Sequence, residues 1–139
     1  MQMNEIVVWH EAGDRLRIAI RGHDLLVDQP IAEGGHDAGP TPTELFVASL
    51  ASCVGFYPGR FLARHQVEPG GLEVDCRWRP AEDGPARVEA VDLWLRLPAD
   101  FPEELRERLE AVVERCTVHN SITVPPDVRF RLDVPAPVG

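Results

Sequence analysis

Three cysteines are the residues of this chain best suited to chemistry, and two of them, Cys53 and Cys116, stand on stretches that read as helices. An odd number of cysteines without a C-x-x-C pair fits neither a disulfide framework nor a four-cysteine zinc site. One interpretation is that both are inert thiols of an apolar core. The other is a redox pair, in which Cys53 attacks a peroxide as a thiolate, becomes a sulfenic acid and condenses with Cys116.

The remaining candidates for chemistry are fewer. Cys76 alternates with apolar residues and is interpreted as a core residue. His119, three residues after Cys116, is a candidate to tune that thiol, with plain solvation as the alternative. The other histidines are scattered without metal-ligand spacing, so we expect neither a metal nor a cofactor. A thiolate at Cys53 would need a nearby cation or an orienting carboxylate.

A helix that carries Cys53 is predicted within Pro40–His65. Thr41 is its expected cap, Pro42 fits the first helical position, and Glu44 completes an S/T-x-x-E capping box. We expect Pro58 to kink this helix, and Pro58 with Gly59 to interrupt it before it reaches membrane-spanning length.

This helix has no polar face before its last turns, which predicts that it is buried on all sides. Its apolar and aromatic residues are Leu45, Phe46, Val47, Ala48, Leu50, Ala51, Val54, Phe56 and Tyr57. One sheet can cover only one face of a helix. We therefore expect a second copy of the chain to supply the missing cover, which makes the protein a homodimer.

Strand patterns flank the central helix on both sides. The predicted strands are 6–11, 15–21, 25–28, 72–78, 88–97 and 128–134. A second predicted helix runs from Asp100 to Cys116, and a turn is expected at Thr117–Thr123. The order β-β-β-α-β-β-α-β, with strands in hairpins, predicts an α+β fold with a mainly antiparallel sheet around a buried central helix. With 139 residues, we expect a single domain over 1–139.

Charge and the N-terminal residues exclude several classes of partner. Acidic residues outnumber basic ones 23 to 14, the net charge is −9, and no basic cluster could follow a phosphate backbone. The first residues lack the basic start and apolar core of a signal peptide. We therefore expect a cytoplasmic protein that binds neither nucleic acid nor membrane.

Two motifs resemble those of one known family. GPTPTELFVASLASC, which leads to Cys53, and ERCTVHNSI, which surrounds Cys116, are similar to the corresponding segments of the OsmC/Ohr family (osmotically inducible protein C-like, organic hydroperoxide resistance-like). The resemblance extends from about Arg21, through RGHDLLVDQP, to the last predicted strand. It implies an intertwined homodimer with active sites at the subunit interface. It also implies reduction of organic hydroperoxides or hydrogen peroxide, with Cys53 peroxidatic and Cys116 resolving.

Departures from the family pattern place the chain in a divergent OsmC-like branch. The organic-hydroperoxide branch has a glutamate ten residues before the first cysteine, where this chain has Thr43. Glu44 would lie on the opposite side of the helix from Cys53, so we assign it to the cap. Thr117 stands where the family has a proline after the second cysteine.

An arginine from the N-terminal strands is what the resemblance implies as the activating group. Arg15, Arg17 and Arg21 share one strand face, and Arg17 is our first choice. Two alternatives to a peroxidase stay open. One is a non-catalytic dimer that binds a small hydrophobic ligand in its interface cavity, as the missing acid at Thr43 favours. The other is a different thiol chemistry such as acyl transfer, with only Cys53 and His119 to support it. The peroxide and the dithiol reductant cannot be read from one chain.

Overall fold

A three-stranded antiparallel sheet begins the part of the chain, residues 4–138, that this computed structural model describes. Its strands, in spatial order, are β1 (Val7–Ala12), β2 (Arg15–Ile20) and β3 (His23–Val27). The turns between them use the left-handed conformations that glycine adopts without strain, with φ of 55° at Gly13 and 83° at Gly22. The predicted hairpin and third strand are confirmed.

The central helix α1 spans Pro42–Arg64 and begins as predicted. Thr41 Oγ1 accepts a hydrogen bond from the Glu44 backbone N–H at 3.1 Å, and Glu44 Oε1 accepts one from the Thr41 N–H at 2.9 Å. This reciprocal pair satisfies two amides that have no partner within the helix. The glutamate side chain therefore belongs to the cap.

The predicted interruption of α1 at Pro58 is wrong, because the helix continues through it to Arg64. Pro58 is buried and costs one backbone hydrogen bond, which packing against the other elements offsets. With 23 residues and a mean hydropathy of 1.4 over an 18-residue window, α1 is long and apolar enough to cross a membrane by length and composition alone. Core helices of soluble proteins pass the same test, and α1 contacts β-strands and two other helices.

A second hairpin, β4 (Glu73–Pro80) with β5 (Val88–Arg96), packs its apolar face on α1. The register places Cys76 opposite Leu93. Gly55 of α1 lies under β4, where a Cβ atom would stand 3.2 Å from Val74 Cγ2. A glycine at this position thus lets the helix approach the strand closely.

The second predicted helix is divided in the structure. A 3-10 turn at Glu103–Leu105 leads into α2 (Arg106–Val113), and a separate helix α3 covers Thr117–Thr123. We predicted a non-helical turn at Thr117–Thr123, and that prediction is wrong. Cys116 is therefore the N-cap residue of α3 and not the end of a longer helix.

The core of the chain covers only one side of α1. One cluster joins Phe61 and Leu62 to Leu109 of α2, and a second joins Leu50 and Val54 to Cys116. On other sides of the helix, Phe46 and Phe56 remain 43% and 49% exposed. The α+β fold class is confirmed, but the helix is not buried on all sides by its own chain.

The predicted last strand, 128–134, is absent. Residues 125–138 contain no helix or strand, and Phe130, Leu132 and Val134 are 89%, 96% and 92% exposed. The alternating pattern that predicted the strand is real, but a strand also needs an adjacent edge with which to pair. No such pairing occurs within the described chain, whose strands form a three-stranded and a two-stranded sheet.

Candidate functional site

Cys53 lies on α1 within the buried cluster that also holds Cys116. Its side chain is half-buried and packs against the group formed by Leu50, Val54 and Cys116. The fold thus brings together the two thiols that the sequence placed on separate helices. Both thiols therefore lie in one apolar cluster, between α1 and the start of α3.

Cys116 occupies the N-terminus of α3, where its sulfur replaces the usual capping oxygen. Its Sγ accepts a hydrogen bond from the His119 backbone N–H at 3.4 Å, and the residue is 1% exposed. Burial raises the pKa of the Cys116 thiol, and the neighbouring Cys53 side chain raises this pKa further. Cys116 therefore favours the protonated form, while Cys53 is the more accessible sulfur.

His119 acts on Cys116 through its backbone amide. Its side chain lines a cavity beside the thiol cluster. In the described part of the chain, no group of three or more histidine, cysteine, aspartate or glutamate side chains could hold a metal ion. His119 is therefore not observed as an imidazole base for either thiol.

Arg17 has carboxylate partners in the N-terminal sheet. Its Nε donates to Glu11 Oε2 at 2.7 Å, and its Nη1 lies 3.7 Å from Asp24 Oδ2. The hydrogen bond to Glu11, followed by the charge of that carboxylate, raises the pKa of Arg17. Arg15 also faces Glu11, at 3.1 Å. The activating arginine stays a prediction, since these groups lie on β1–β3 and the cysteines lie on the helices.

An apolar cavity of about 480 Å³ adjoins the thiol pair. Leu50 and Val54 of α1 and Val91 and Leu93 of β5 belong to both the cavity wall and the cysteine cluster. Helix α3 closes one side with Ile122 and His119. A second cavity, of about 460 Å³, is lined by Thr43, Phe46 and Trp78.

The third cysteine, Cys76, does not belong to the cluster of Cys53 and Cys116. It is half-buried on β4, and burial, followed by the charge of Asp92, raises the pKa of its thiol. A protonated thiol without a partner cysteine matches its interpretation as a core residue.

Sequence reasoning missed one polar contact of the site. Tyr57 Oη and Thr117 Oγ1 share a hydrogen bond of 3.3 Å, in which either hydroxyl can donate. Tyr57 stands one helical turn after Cys53, and Thr117 follows Cys116 directly. The replacement of a family proline by a hydroxyl residue at 117 was the available signal.

Comparison with known proteins agrees with this arrangement. The model of the OsmC-like protein family matches residues 34–131, which include both cysteines. No curated protein sequence matches the chain.

Several solved structures share the fold at low sequence identity. A Psychrobacter arcticus protein assigned to the osmotic stress and detoxification response superposes with a TM-score of 0.76 at 20% identity, covering 87% of this chain and 89% of that chain. An OsmC-like protein from Mycoplasma pneumoniae gives 0.71 at 14% identity, with 88% of both chains covered. The organic hydroperoxide resistance protein OhrB of Bacillus subtilis gives 0.58 at 19% identity, covering 86% of this chain and 90% of that chain.

Proposed function

The chain belongs to the OsmC-like protein family, and on that premise we propose that it is a thiol-dependent peroxidase of oxidative-stress defence in the cytoplasm. It reduces organic hydroperoxides or hydrogen peroxide. The observation that carries the proposal is the packing of Cys53 against Cys116 in one buried cluster. The hydroperoxide resistance named for the Bacillus subtilis relative supports the same chemistry.

The different surroundings of the two thiols support their roles. As a thiolate, Cys53 attacks the terminal peroxide oxygen and the O–O bond breaks. The departing oxygen takes a proton and leaves as an alcohol, or as water from hydrogen peroxide. Cys116 then attacks the Cys53 sulfenic acid, giving up its thiol proton as the sulfenic hydroxyl leaves as water. A dithiol reductant restores both thiols by exchange.

The apolar cavity supports organic hydroperoxides as the better substrates. Its wall shares Leu50, Val54, Val91 and Leu93 with the thiol cluster, so a hydrocarbon group there would hold its peroxide end close to the cysteines. Hydrogen peroxide has no apolar part with which to use this surface. We expect kcat/KM for cumene hydroperoxide to exceed that for hydrogen peroxide by about tenfold or more.

Cysteine variants test the assignment. Reduced protein that receives one equivalent of cumene hydroperoxide should yield a Cys53–Cys116 linked peptide in mass spectrometry. Cys53→Ser should lower peroxide consumption by about a hundredfold or more, because the nucleophile is gone. Cys116→Ser should still react once and accumulate a sulfenic acid that dimedone traps. Cys76→Ser is the matched control and should stay within about twofold of the unmodified chain. Unchanged thiols and no peroxide loss in the unmodified chain would contradict the proposal.

A second candidate function is a non-catalytic dimer that binds a small hydrophobic ligand. The cavity of about 480 Å³ and the threonine at position 43 favour it. Its test is thermal stabilisation by apolar compounds that are not peroxides, measured on the Cys53→Ser variant. Stabilisation without any peroxide turnover by the unmodified chain would select this function over the first.

We also propose that the protein is a homodimer. Within residues 4–138, neither the exposed Phe46 and Phe56 of α1 nor the apolar row of residues 128–134 has a partner that covers it. The strands β1–β3 contact one another far more extensively than they contact α1, which leaves Val8 and Trp9 of β1 exposed as well. A second copy could cover these surfaces and bring an N-terminal arginine, with Arg17 as our candidate, toward Cys53.

A further inference from the structure

One side-chain hydrogen bond joins the two helices that carry the cysteines. Tyr57 of α1 and Thr117 of α3 approach to 3.3 Å through their hydroxyl oxygens. Among the residues that the structure describes, it is the only hydrogen bond between side chains of α1 and α3. Apart from the contact between the two thiols, the remaining packing around them is apolar.

The position of this bond relates it directly to the thiols. Residues four apart on a helix lie on the same face, so Tyr57 stands about one turn, about 6 Å along the axis, from Cys53. On the other side, Thr117 is the first residue of α3 and Cys116 is its N-cap. The hydroxyl pair and the thiol pair therefore make two adjacent links between the same two segments.

Both segments have reason to move without such a link. Helix α3 has only seven residues, a length at which helices rely on tertiary contacts. On α1, Pro58 removes one backbone hydrogen bond directly after Tyr57. Apolar packing holds the segments together but is not directional, whereas a hydrogen bond fixes orientation.

We propose that Tyr57 and Thr117 form a positioning pair that sets the effective concentration of the Cys116 thiol at Cys53. Neither residue is catalytic, since each acts by holding the two sulfur atoms close together and in a fixed relative orientation. The biological use of this pair rests on the proposed peroxidase function, but its effect on disulfide formation does not require a peroxide. Loss of either hydroxyl should therefore shift the thiol–disulfide equilibrium away from the Cys53–Cys116 disulfide.

A glutathione equilibrium measures that effect on the full chain. Glutathione disulfide oxidises the two thiols to the Cys53–Cys116 disulfide and is itself reduced to two glutathione thiols, and mass spectrometry of the linked peptide gives the equilibrium constant. Tyr57→Phe and Thr117→Val should each lower this constant by about three- to tenfold. Thr117→Ser keeps the hydroxyl and should stay within about twofold. The Tyr57→Phe/Thr117→Val double variant should be no worse than either single variant, because both remove one bond.

Several results would overturn the inference. One is an equilibrium constant that is unchanged in both single variants, and another is a Thr117→Ser variant whose constant falls as far as that of Thr117→Val. The inference also fails if the reductions in the constant add up in the double variant, or if the unmodified chain forms no Cys53–Cys116 disulfide in glutathione buffers. Circular dichroism confirms that each variant is folded. A chain that forms the disulfide with glutathione but not with peroxide would contradict the proposed function alone and leave the positioning pair intact.

Discussion

Cys53 and Cys116 are the same kind of side chain in different surroundings, one half-buried and the other almost fully buried, and we propose that their two roles follow from this difference. Apolar flanking residues were enough to predict that both cysteines lie near a core. The sequence could not show that Cys116 caps a helix and accepts the His119 amide, because that geometry depends on α3, which was predicted as a turn. The resemblance was needed to favour a redox pair over two inert core thiols, since periodicity alone does not bring two helices together.

A single buried carboxylate organises the loop that precedes α1. Asp28 is almost fully buried, and its carboxylate accepts backbone hydrogen bonds from Gln29 at 2.8 Å, His36 at 3.2 Å and Ala38 at 3.1 Å. The bond from Ala38, then that from Gln29, holds the pKa of Asp28 below its ordinary value. The sequence predicts Asp28 as the end of a strand, because two of its three amide donors, His36 and Ala38, lie eight and ten residues further along the chain.

Asp28→Asn should destabilise the protein most near neutral pH. A carboxyl whose pKa is lowered in the folded state stabilises it above the unfolded pKa of about 4 and loses that effect as pH falls through the folded pKa. The difference in urea midpoint between the two chains should therefore shrink as pH falls below about 4. Asp37→Asn, an exposed change in the same loop, is the control and should have no such effect. A difference that does not change with pH would contradict this role.

At the scale of elements, the sequence predicted the features that local signals determine. It missed those that depend on contacts between elements. The start of α1 follows from Thr41, Pro42 and Glu44 because a capping box is closed within one turn. Helix α3 was missed because TVHNSIT is short and contains two threonines, a valine and an isoleucine, which are modest helix formers. Its helical form depends on packing against α1, which no local pattern records.

Removing the cap of α1 tests whether the capping box of Thr41 and Glu44 stabilises the fold. Thr41→Ala should lower the free energy of unfolding by about 1 kcal/mol, since the Glu44 amide loses its acceptor. Urea unfolding followed by circular dichroism measures it. Thr43→Ala, an exposed threonine of the first turn, is the matched control and should change stability by less than about 0.5 kcal/mol. Equal losses in the two variants would mean that the capping box contributes nothing.

At the scale of the whole molecule, residues 4–138 leave many large apolar side chains exposed. Both sheets are small, one face of α1 is exposed, and the C-terminal segment pairs with nothing in the described chain. The six-strand pattern in the sequence predicted strands correctly up to β5. The sixth failed because a segment becomes a strand only where it has an adjacent edge with which to pair, and residues 128–134 pair with no strand of the described chain.

Charged residues in the C-terminal row should separate the proposed dimer. Phe130→Asp with Leu132→Asp would place two carboxylates where a partner must bury apolar side chains, which is costly. Light scattering after size exclusion should then report the 15.5 kDa chain instead of twice that mass. Arg131→Asp, on the alternate side of the same segment, is the control and should remain dimeric. A monomeric unmodified chain would contradict the proposed dimer.

The uncovered row of residues 128–134 also bears on the life of a newly made chain. Alternating apolar side chains on an extended, unpaired backbone are what proteases and chaperones bind. Under the proposed dimerisation, each chain leaves the ribosome with this segment open and stays vulnerable until it meets a second copy. Partner encounter grows with concentration, so the amount of protein in a cell should rise more than proportionally with its rate of synthesis.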